Sequence, residues 1–325
     1  MLEGLILMKT ILVAEELTLE EQAQLTAAAP NERFVFAQTQ DVTLEQLQQA
    51  DILIGNVDAD LLEQIEHLDW MQLVSSGADY YTKRTALRDK FLTTTATGCY
   101  GTGIAEYMVG MLLLMMKKIP TYLEYQKEQV WRDAGHVVSP MGKRVLIVGT
   151  GNLGTEFAKR MRPFGCKIIG VRRRVGTFPE EYDQMCLMDE LTNELPKADV
   201  VALCLPGTEE TYHLFDEKML SLCKEGAYLM NVGRGTVIPE DAFLNSKLMN
   251  RFGGVWVDVL EHEPLEDEDP LFSTDNLIIT PHITGGWHLD ITRKNIMDLC
   301  ERNLKAFLHG APLERVLDWN SGYCK

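Results

Sequence analysis

Short apolar and β-branched runs recur along the chain, each set between polar segments with helical spacing. TILVA, RFVFA, DILIG, WMQLVS and FLTTT form a first series, and KRVLIVG, CKIIGV, DVVALCL, GAYLMNV, GGVWVDV and NLIIT form a second. Runs that are apolar throughout, alternating with amphipathic helices, read as strands of parallel sheets built from βαβ units. Two such series predict an α/β protein with two doubly wound parallel-sheet domains. Between them, GTGIAEYMVGMLLLMMKKIP reads as one long helix ended by Pro120, with a domain boundary near Tyr100. The segment HLDITRKNIMDLCERNLKAFLHG reads as a further helix, and periodicity does not say which domain it joins.

Composition narrows the class of protein. The 325 residues, 46% of them hydrophobic, are enough for two cores, and no repeat or low-complexity tract interrupts them. A formal net charge of −17 disfavours nucleic acid or an anionic membrane surface as partner. The run MVGMLLLMM, from Met108 to Met116, is far shorter than the roughly 20 residues of a membrane span and reads as a buried helix, in a core or a dimer interface. MLEGLILMKTILVAEE has no basic region followed by a cleavage site, so secretion is not expected. Seven cysteines without a CxxC pair suggest neither a disulfide framework nor a metal site, and fit a reducing cytoplasm.

Chemistry enters at VGTGNLG. Gly149, Gly151 and Gly154 follow the strand RVLIV and open a helix pattern that begins Asn152, Leu153. In that context the first glycine permits the turn, the second lets a pyrophosphate reach the backbone, and the third permits close helix-strand packing. The phosphates would meet the exposed N–H groups of the helix N-terminus. At the end of the next strand, where NAD enzymes carry an acidic residue for the ribose hydroxyl, stand Arg172, Arg173 and Arg174. Guanidinium groups bind phosphate through charge-assisted bonds, so NADP(H) is expected over NAD(H), with NAD(H) possible; the alternative is a solvated basic loop.

Three more segments lie at ends of second-series strands. Arg234 sits between glycines in NVGRG, Asp258 and Glu263 lie in VDVLEHEPL, and His282 in TPHITGG. Ligands of open α/β sheets bind beyond the carboxyl ends of the strands, so an Arg, a Glu and a His there suit carbonyl reduction beside a nicotinamide. Singly, each also reads as a surface arginine, part of an acidic loop, or a satisfied histidine.

Taken together, VSSGAD (74–79), GIAEYMVGMLL (103–113), VGTGNLG (148–154), LPGTEETYHLF (205–215), NVGRGTVI (231–238), VDVLEHEPL (257–265) and TPHITGG (280–286) resemble the D-isomer-specific 2-hydroxyacid dehydrogenases, in the family's order over most of the chain. The resemblance implies a Rossmann cofactor domain of residues 101–288 inserted in a flavodoxin-like substrate domain of residues 1–100 plus 289–325, and a homodimer. It implies a catalytic Arg234, Glu263 and His282. It also implies cofactor contacts from Ser76, Leu205, Pro206, Thr208, Val232, Gly233, Asp258 and Thr284, beside the glycine turn, and substrate contacts from Ser76, Gly77, Ala78, Arg234 and His282. The loop at Ser76–Ala78 also reads as a simple turn with Asp79 capping a helix, and Asp258 as a structural strand-end residue.

The expected activity is hydride transfer between NADP(H) and a small 2-keto acid or D-2-hydroxy acid, acting on the CH–OH group of donors. A dinucleotide-sensing interaction protein, like the family's corepressors, is the alternative. A methyltransferase is a weaker one, since it would want an acidic ribose contact and has no use for the three residues. Trp287, close after His282, reads equally as pocket wall, core or subunit contact, as do Tyr100 and Trp131.

Overall fold

A computed structural model describes residues 8–320 and 322–324. Residues 1–7, part of the stretch weighed above for a leader, lie outside the described residues. The chain divides into two compact units, one running to Tyr100 and resuming at Trp287, the other spanning Gly101–Gly286.

In the first unit five strands, β1 (Thr10–Ala14), β2 (Arg33–Ala37), β3 (Ile52–Gly55), β4 (Trp70–Gln72) and β5 (Leu92–Thr94), form a parallel sheet in the order β2-β1-β3-β4-β5. This is the flavodoxin-like order. Both faces are covered, so the strands carry apolar residues at consecutive positions: Leu12 and Leu53 point to one cluster, Ile11, Val13, Ile52 and Ile54 to the other. The helix Leu19–Ala28 starts in a capping box of Thr18 and Glu21. Glu21 also takes an ion pair from Arg293 on the helix Asp290–Leu308, which fixes that C-terminal helix to this unit. Trp287 joins the same unit's apolar cluster and lies under the Arg293 guanidinium, 5.0 Å from it. Tyr100 packs there too, its hydroxyl donating to the Val74 carbonyl.

The second unit holds seven parallel strands: β6 (Arg144–Val148), β7 (Lys167–Arg172), β8 (Gln184–Leu187), β9 (Val200–Leu203), β10 (Tyr228–Asn231), β11 (Gly254–Val257) and β12 (Leu277–Ile279). Their order is β12-β11-β10-β9-β6-β7-β8, a Rossmann sheet with one added edge strand. The pleat splits β6 cleanly: Val145 and Ile147 enter one core cluster, Leu146 and Val148 the other.

Two features depart from the sequence expectation. The edge strand β8, QMCL, is short and begins with a polar residue, so it lacked the apolar signature of its neighbours. The long helix expected up to Pro120 is two helices, Gly101–Met116 and Ile119–Lys127. Pro120 sits in the first turn of the second, where its missing N–H costs nothing, and the break falls at Lys118, which has a left-handed backbone. The methionines of the first helix are core residues: Met108, Met111, Met115 and Met116 are buried with Phe157 and Met161 of the helix Asn152–Met161. Among the described residues no helix is long and apolar enough to cross a membrane.

Candidate active site

The crevice of a doubly wound sheet opens where strand order reverses, here between β6 and β9. After β6 the chain turns at Gly149, whose φ of +101° and position, where a Cβ would lie 2.5 Å from the Cys204 carbonyl oxygen, both exclude a side chain. Gly154 is equally confined, against the Gly149 carbonyl and Ile147. Gly151 differs, since a Cβ there would meet nothing within 4 Å. It precedes the helix Asn152–Met161, which has no side-chain cap, so the first N–H groups of the helix, at Asn152 and Leu153, are not taken by a capping side chain. Donors and the positive end of a helix dipole with no side-chain cap are the chemistry that an anion cradle needs.

The three arginines after this cradle do not behave alike. Arg172, the last residue of β7, donates from both terminal nitrogens to carbonyls of its own loop, at 2.9 Å to Thr177 and 2.6 Å to Gly176. Arg173 is exposed and 3.8 Å from Glu210, which lies in the turn after β9. Arg174 is exposed. That turn begins with buried Leu205, then Pro206 and Thr208, and is tied by Thr211, whose hydroxyl donates to the Pro206 carbonyl at 2.6 Å and whose Oγ1 accepts from the Thr208 N–H.

Next along the sheet edge, β10 ends in buried Asn231, followed by Val232 and Gly233. Asn231 shapes the turn around Arg234: its amide donates to the Arg234 carbonyl at 3.0 Å, and its Oδ1 accepts from the Gly233 N–H. Arg234 is half-buried and donates from Nη1 to the Gly233 carbonyl.

After β11 the loop carries Glu263, which is fastened at both oxygens. Oε1 accepts from the Leu260 N–H at 2.7 Å, and Oε2 accepts from His282 Nδ1 at 2.7 Å. His282, just past β12, has a φ of +49° and is held through its N–H by the carbonyls of Asp258 and Thr280. Asp258 is 3% exposed, yet its carboxylate is saturated: Oδ1 takes the Thr280 hydroxyl and the Ile283 N–H, and Oδ2 takes the Thr284 hydroxyl and N–H. Buried carboxylates survive only with such satisfaction. The Thr284 hydroxyl donates to Asp258, and the two residues together hold the turn that carries His282.

The pair is electrostatically poised. The Glu263 hydrogen bond raises the His282 pKa above its ordinary value; desolvation opposes this, the charges of Glu263 and Asp258 reinforce it, and Arg234 opposes it. Burial pushes Glu263 upward, but the bonds from His282 and Leu260 and the Arg234 charge outweigh burial and leave its pKa lowered. The result favours an imidazolium beside a carboxylate, with 56% of the His282 side chain still accessible.

Residues 109–284 match the model of the D-isomer-specific 2-hydroxyacid dehydrogenase NAD-binding domain, over half the chain. The chain belongs to the D-isomer-specific 2-hydroxyacid dehydrogenases. It is 30% identical to a glyoxylate reductase of Thermococcus litoralis over 83% of this chain and 84% of that protein. To a glyoxylate/hydroxypyruvate reductase of Arabidopsis thaliana it is 29% identical over 79% and 78%. The crystal structure of a family protein from Aeromonas salmonicida superposes with a TM-score of 0.86 and 32% identity, covering 96% of this chain and 99% of that one. A Sinorhizobium meliloti NADPH-dependent glyoxylate/hydroxypyruvate reductase, solved with NADP and sulfate, shares the fold at a TM-score of 0.81 and 23% identity, covering 97% and 100%. The chain is thus an oxidoreductase of this family with a nicotinamide dinucleotide cofactor.

For this dehydrogenase the second unit brings together Arg234, Glu263 and His282 with the glycine cradle on one sheet edge. Ser76, Gly77 and Ala78 lie in the first unit, between β4 and the short helix Asp79–Thr82. There the Ser75 hydroxyl donates to the Gly77 carbonyl and the Thr97 hydroxyl to that of Ser76. Ala78, not Asp79, takes the cap position, and it makes no side-chain cap bond. Asn231, Thr211 and Thr280 were missed as site residues. Asn231 was findable, because a buried Asn at a strand end commonly bonds neighbouring backbone, whereas the partners of Thr211 and Thr280 depend on how loops fold back.

Proposed function

We propose that the chain reduces small 2-keto acids to D-2-hydroxy acids, using NADPH in preference to NADH. The observation that carries this reading is the 2.7 Å His282–Glu263 pair with Arg234 beside it, at the sheet edge that bears the glycine cradle. Gly149, Gly151, Asn152, Leu153 and Gly154 would hold the pyrophosphate, with the space beside Gly151 leaving the backbone approachable. Leu205, Pro206, Thr208, Val232, Gly233, Asp258 and Thr284 would supply further cofactor contacts, and Asp258 and Thr284 also hold the His282 turn. Bound nicotinamide supplies the hydride.

The rest of the chemistry belongs to the chain. Arg234 grips the substrate carboxylate, a planar fork of donors against two oxygens, and orients the carbonyl. In the first unit, Ser76, Gly77 and Ala78 are the candidate substrate contacts, with Ser76 also a candidate for the cofactor. His282, held in its protonated form by Glu263, gives the Nε2 proton to the carbonyl oxygen as charge develops there. Arg173 and Arg174 bind the 2′-phosphate, while Arg172 shapes their loop.

The chain acts as a homodimer in the cytoplasm. Ile119, Leu123, Val130, Trp131 and Val137 leave apolar surface exposed within residues 119–137, with Trp131 wholly accessible, and a second copy would cover it. The cysteines are free thiols, which suits a reducing compartment. Sedimentation velocity reads the dimer directly; a monomer at micromolar concentration removes it.

A panel of 2-keto acids with NADPH and with NADH, followed by absorbance loss and product chirality, tests the function. Turnover with NADPH to a D-2-hydroxy acid is expected. No turnover with any 2-keto acid overturns the enzymatic reading, and preference for NADH overturns the reading of the arginines.

A further inference from the structure

Between the end of β11 at Val257 and the 3-10 turn Pro270–Ser273 no helix or strand holds the chain, yet Glu263 must keep its carboxylate 2.7 Å from His282. The two residues immediately before Glu263 are each anchored to a different element. Glu261 reaches the turn after β9: its Oε1 accepts from the Tyr212 hydroxyl at 3.1 Å, and His213 Nε2 lies 3.1 and 3.0 Å from its two oxygens. Tyr212 and His213 stack on one another with centroids 3.9 Å apart, so the two donors form one platform. His262 turns to the segment after β10: its backbone N–H and its Nδ1 both donate to Glu240, at 2.8 Å to each oxygen.

The same segment touches the loop through its backbone. Gly235, next to Arg234, lies so close to Leu260 that a Cβ there would stand 1.8 Å from the Leu260 carbonyl carbon. Leu260 in turn donates its N–H to Glu263. We propose that Glu240 and the Tyr212–His213 platform are positioning residues for the catalytic carboxylate, clamping residues 261 and 262 so that Glu263 stays against His282. The proposal rests on the reading of Glu263 and His282 as the catalytic pair.

Charge on the clamp is consistent with its grip. Glu240 raises the His262 pKa by hydrogen bond and by charge, so the imidazolium form strengthens the Glu240 contact. A loop freed from either anchor lets the Glu263 carboxylate withdraw, which removes the main influence raising His282. The opposing charge of Arg234 and the supporting charge of Asp258 remain.

The experiment compares Glu240→Ala, Glu240→Gln and Glu261→Ala in the full chain. Glu240→Ala and Glu261→Ala are expected to lower kcat about tenfold, the order of a lost hydrogen bond to a charged group. The KM for the dinucleotide should stay unchanged, and the alkaline limb of the kcat profile should move to lower pH. Glu240→Gln keeps an acceptor for the His262 N–H and should recover most of the rate. A fall in Tm with kcat and the pH limb unchanged, or a Glu240→Gln variant no better than alanine, overturns the proposal. Retained activity in a His282→Gln control instead removes the catalytic pair on which it rests. Glu261→Ala carries the test where Glu240→Ala does not fold.

Discussion

The loops of the second unit that carry Glu263 and His282 are built differently from the one that carries the three arginines. The loops that carry Glu263 and His282 are fastened by buried or half-buried bonds: Asp258 holds the His282 turn through Thr280, Ile283 and Thr284, and Leu260 holds Glu263. The loop that carries Arg172, Arg173 and Arg174 is exposed from Arg173 to Phe178, and Arg172 donates to carbonyls of the loop itself. Preorganised donors and proton carriers matter where charge develops in a transition state. A group that recognises an anion by charge tolerates more freedom, since a guanidinium can follow a phosphate. On the proposed function, the first loop pair would set rate and the second would set which dinucleotide binds.

The largest effect should come from the fastened pair. His282→Gln is expected to lower kcat by about 10²–10⁴-fold, the usual contribution of a positioned acid, with dinucleotide affinity by fluorescence titration nearly unchanged. An equal loss of cofactor binding would erase the division of labour between the loops. A smaller effect should follow from the surface loop. Replacing Arg173 and Arg174 together with Ser should raise the NADPH KM by about 10–100-fold, as expected for losing charge-assisted bonds, and leave kcat and the NADH KM close to wild type. A matching rise for NADH would mean that the loop acts on the shared part of the cofactor.

The smallest effect is in pH. Because Glu263 raises the His282 pKa, the proton proposed for reduction is present at low pH and lost as pH rises through that raised value, so the alkaline limb of the reduction rate is expected above the ordinary histidine value. The same pair contributes stability between the ordinary carboxylate and histidine pKa values; the contribution fades as pH rises through the folded His282 value and as pH falls through the lowered Glu263 value. Glu263→Gln should shift the limb toward acid pH. A limb that stays in place would assign the titration to another group.

Much of this site was legible from local patterns. The glycine turn could be read because Gly149, Gly151 and Gly154 follow an unbroken apolar strand and open a helix, and a strand-turn-helix unit needs only neighbours in sequence. The edge strand β8 was not legible, since QMCL opens on a polar residue and has no β-branched residue, a marker that most of the other strands carry. The helix break at Lys118 was misread because Pro120 is as compatible with starting a helix as with ending one.

The sequence by itself determined the two α/β series, the strand ends on which Arg234, Glu263 and His282 sit, and the positive cluster after β7. Periodicity and residue type are local properties of the chain, and they decide burial and strand ends directly. Only the tertiary structure decided that Arg172 turns back on its own loop while Arg173 faces Glu210, and that Asp258 is consumed in holding the His282 turn. It also decided that Glu261 and His262 are anchored to segments that lie far from them in sequence. Those partners are brought together by the closing of loops over the sheet edge, and a hydrogen bond depends on distances of a few tenths of an ångström that no residue pattern encodes.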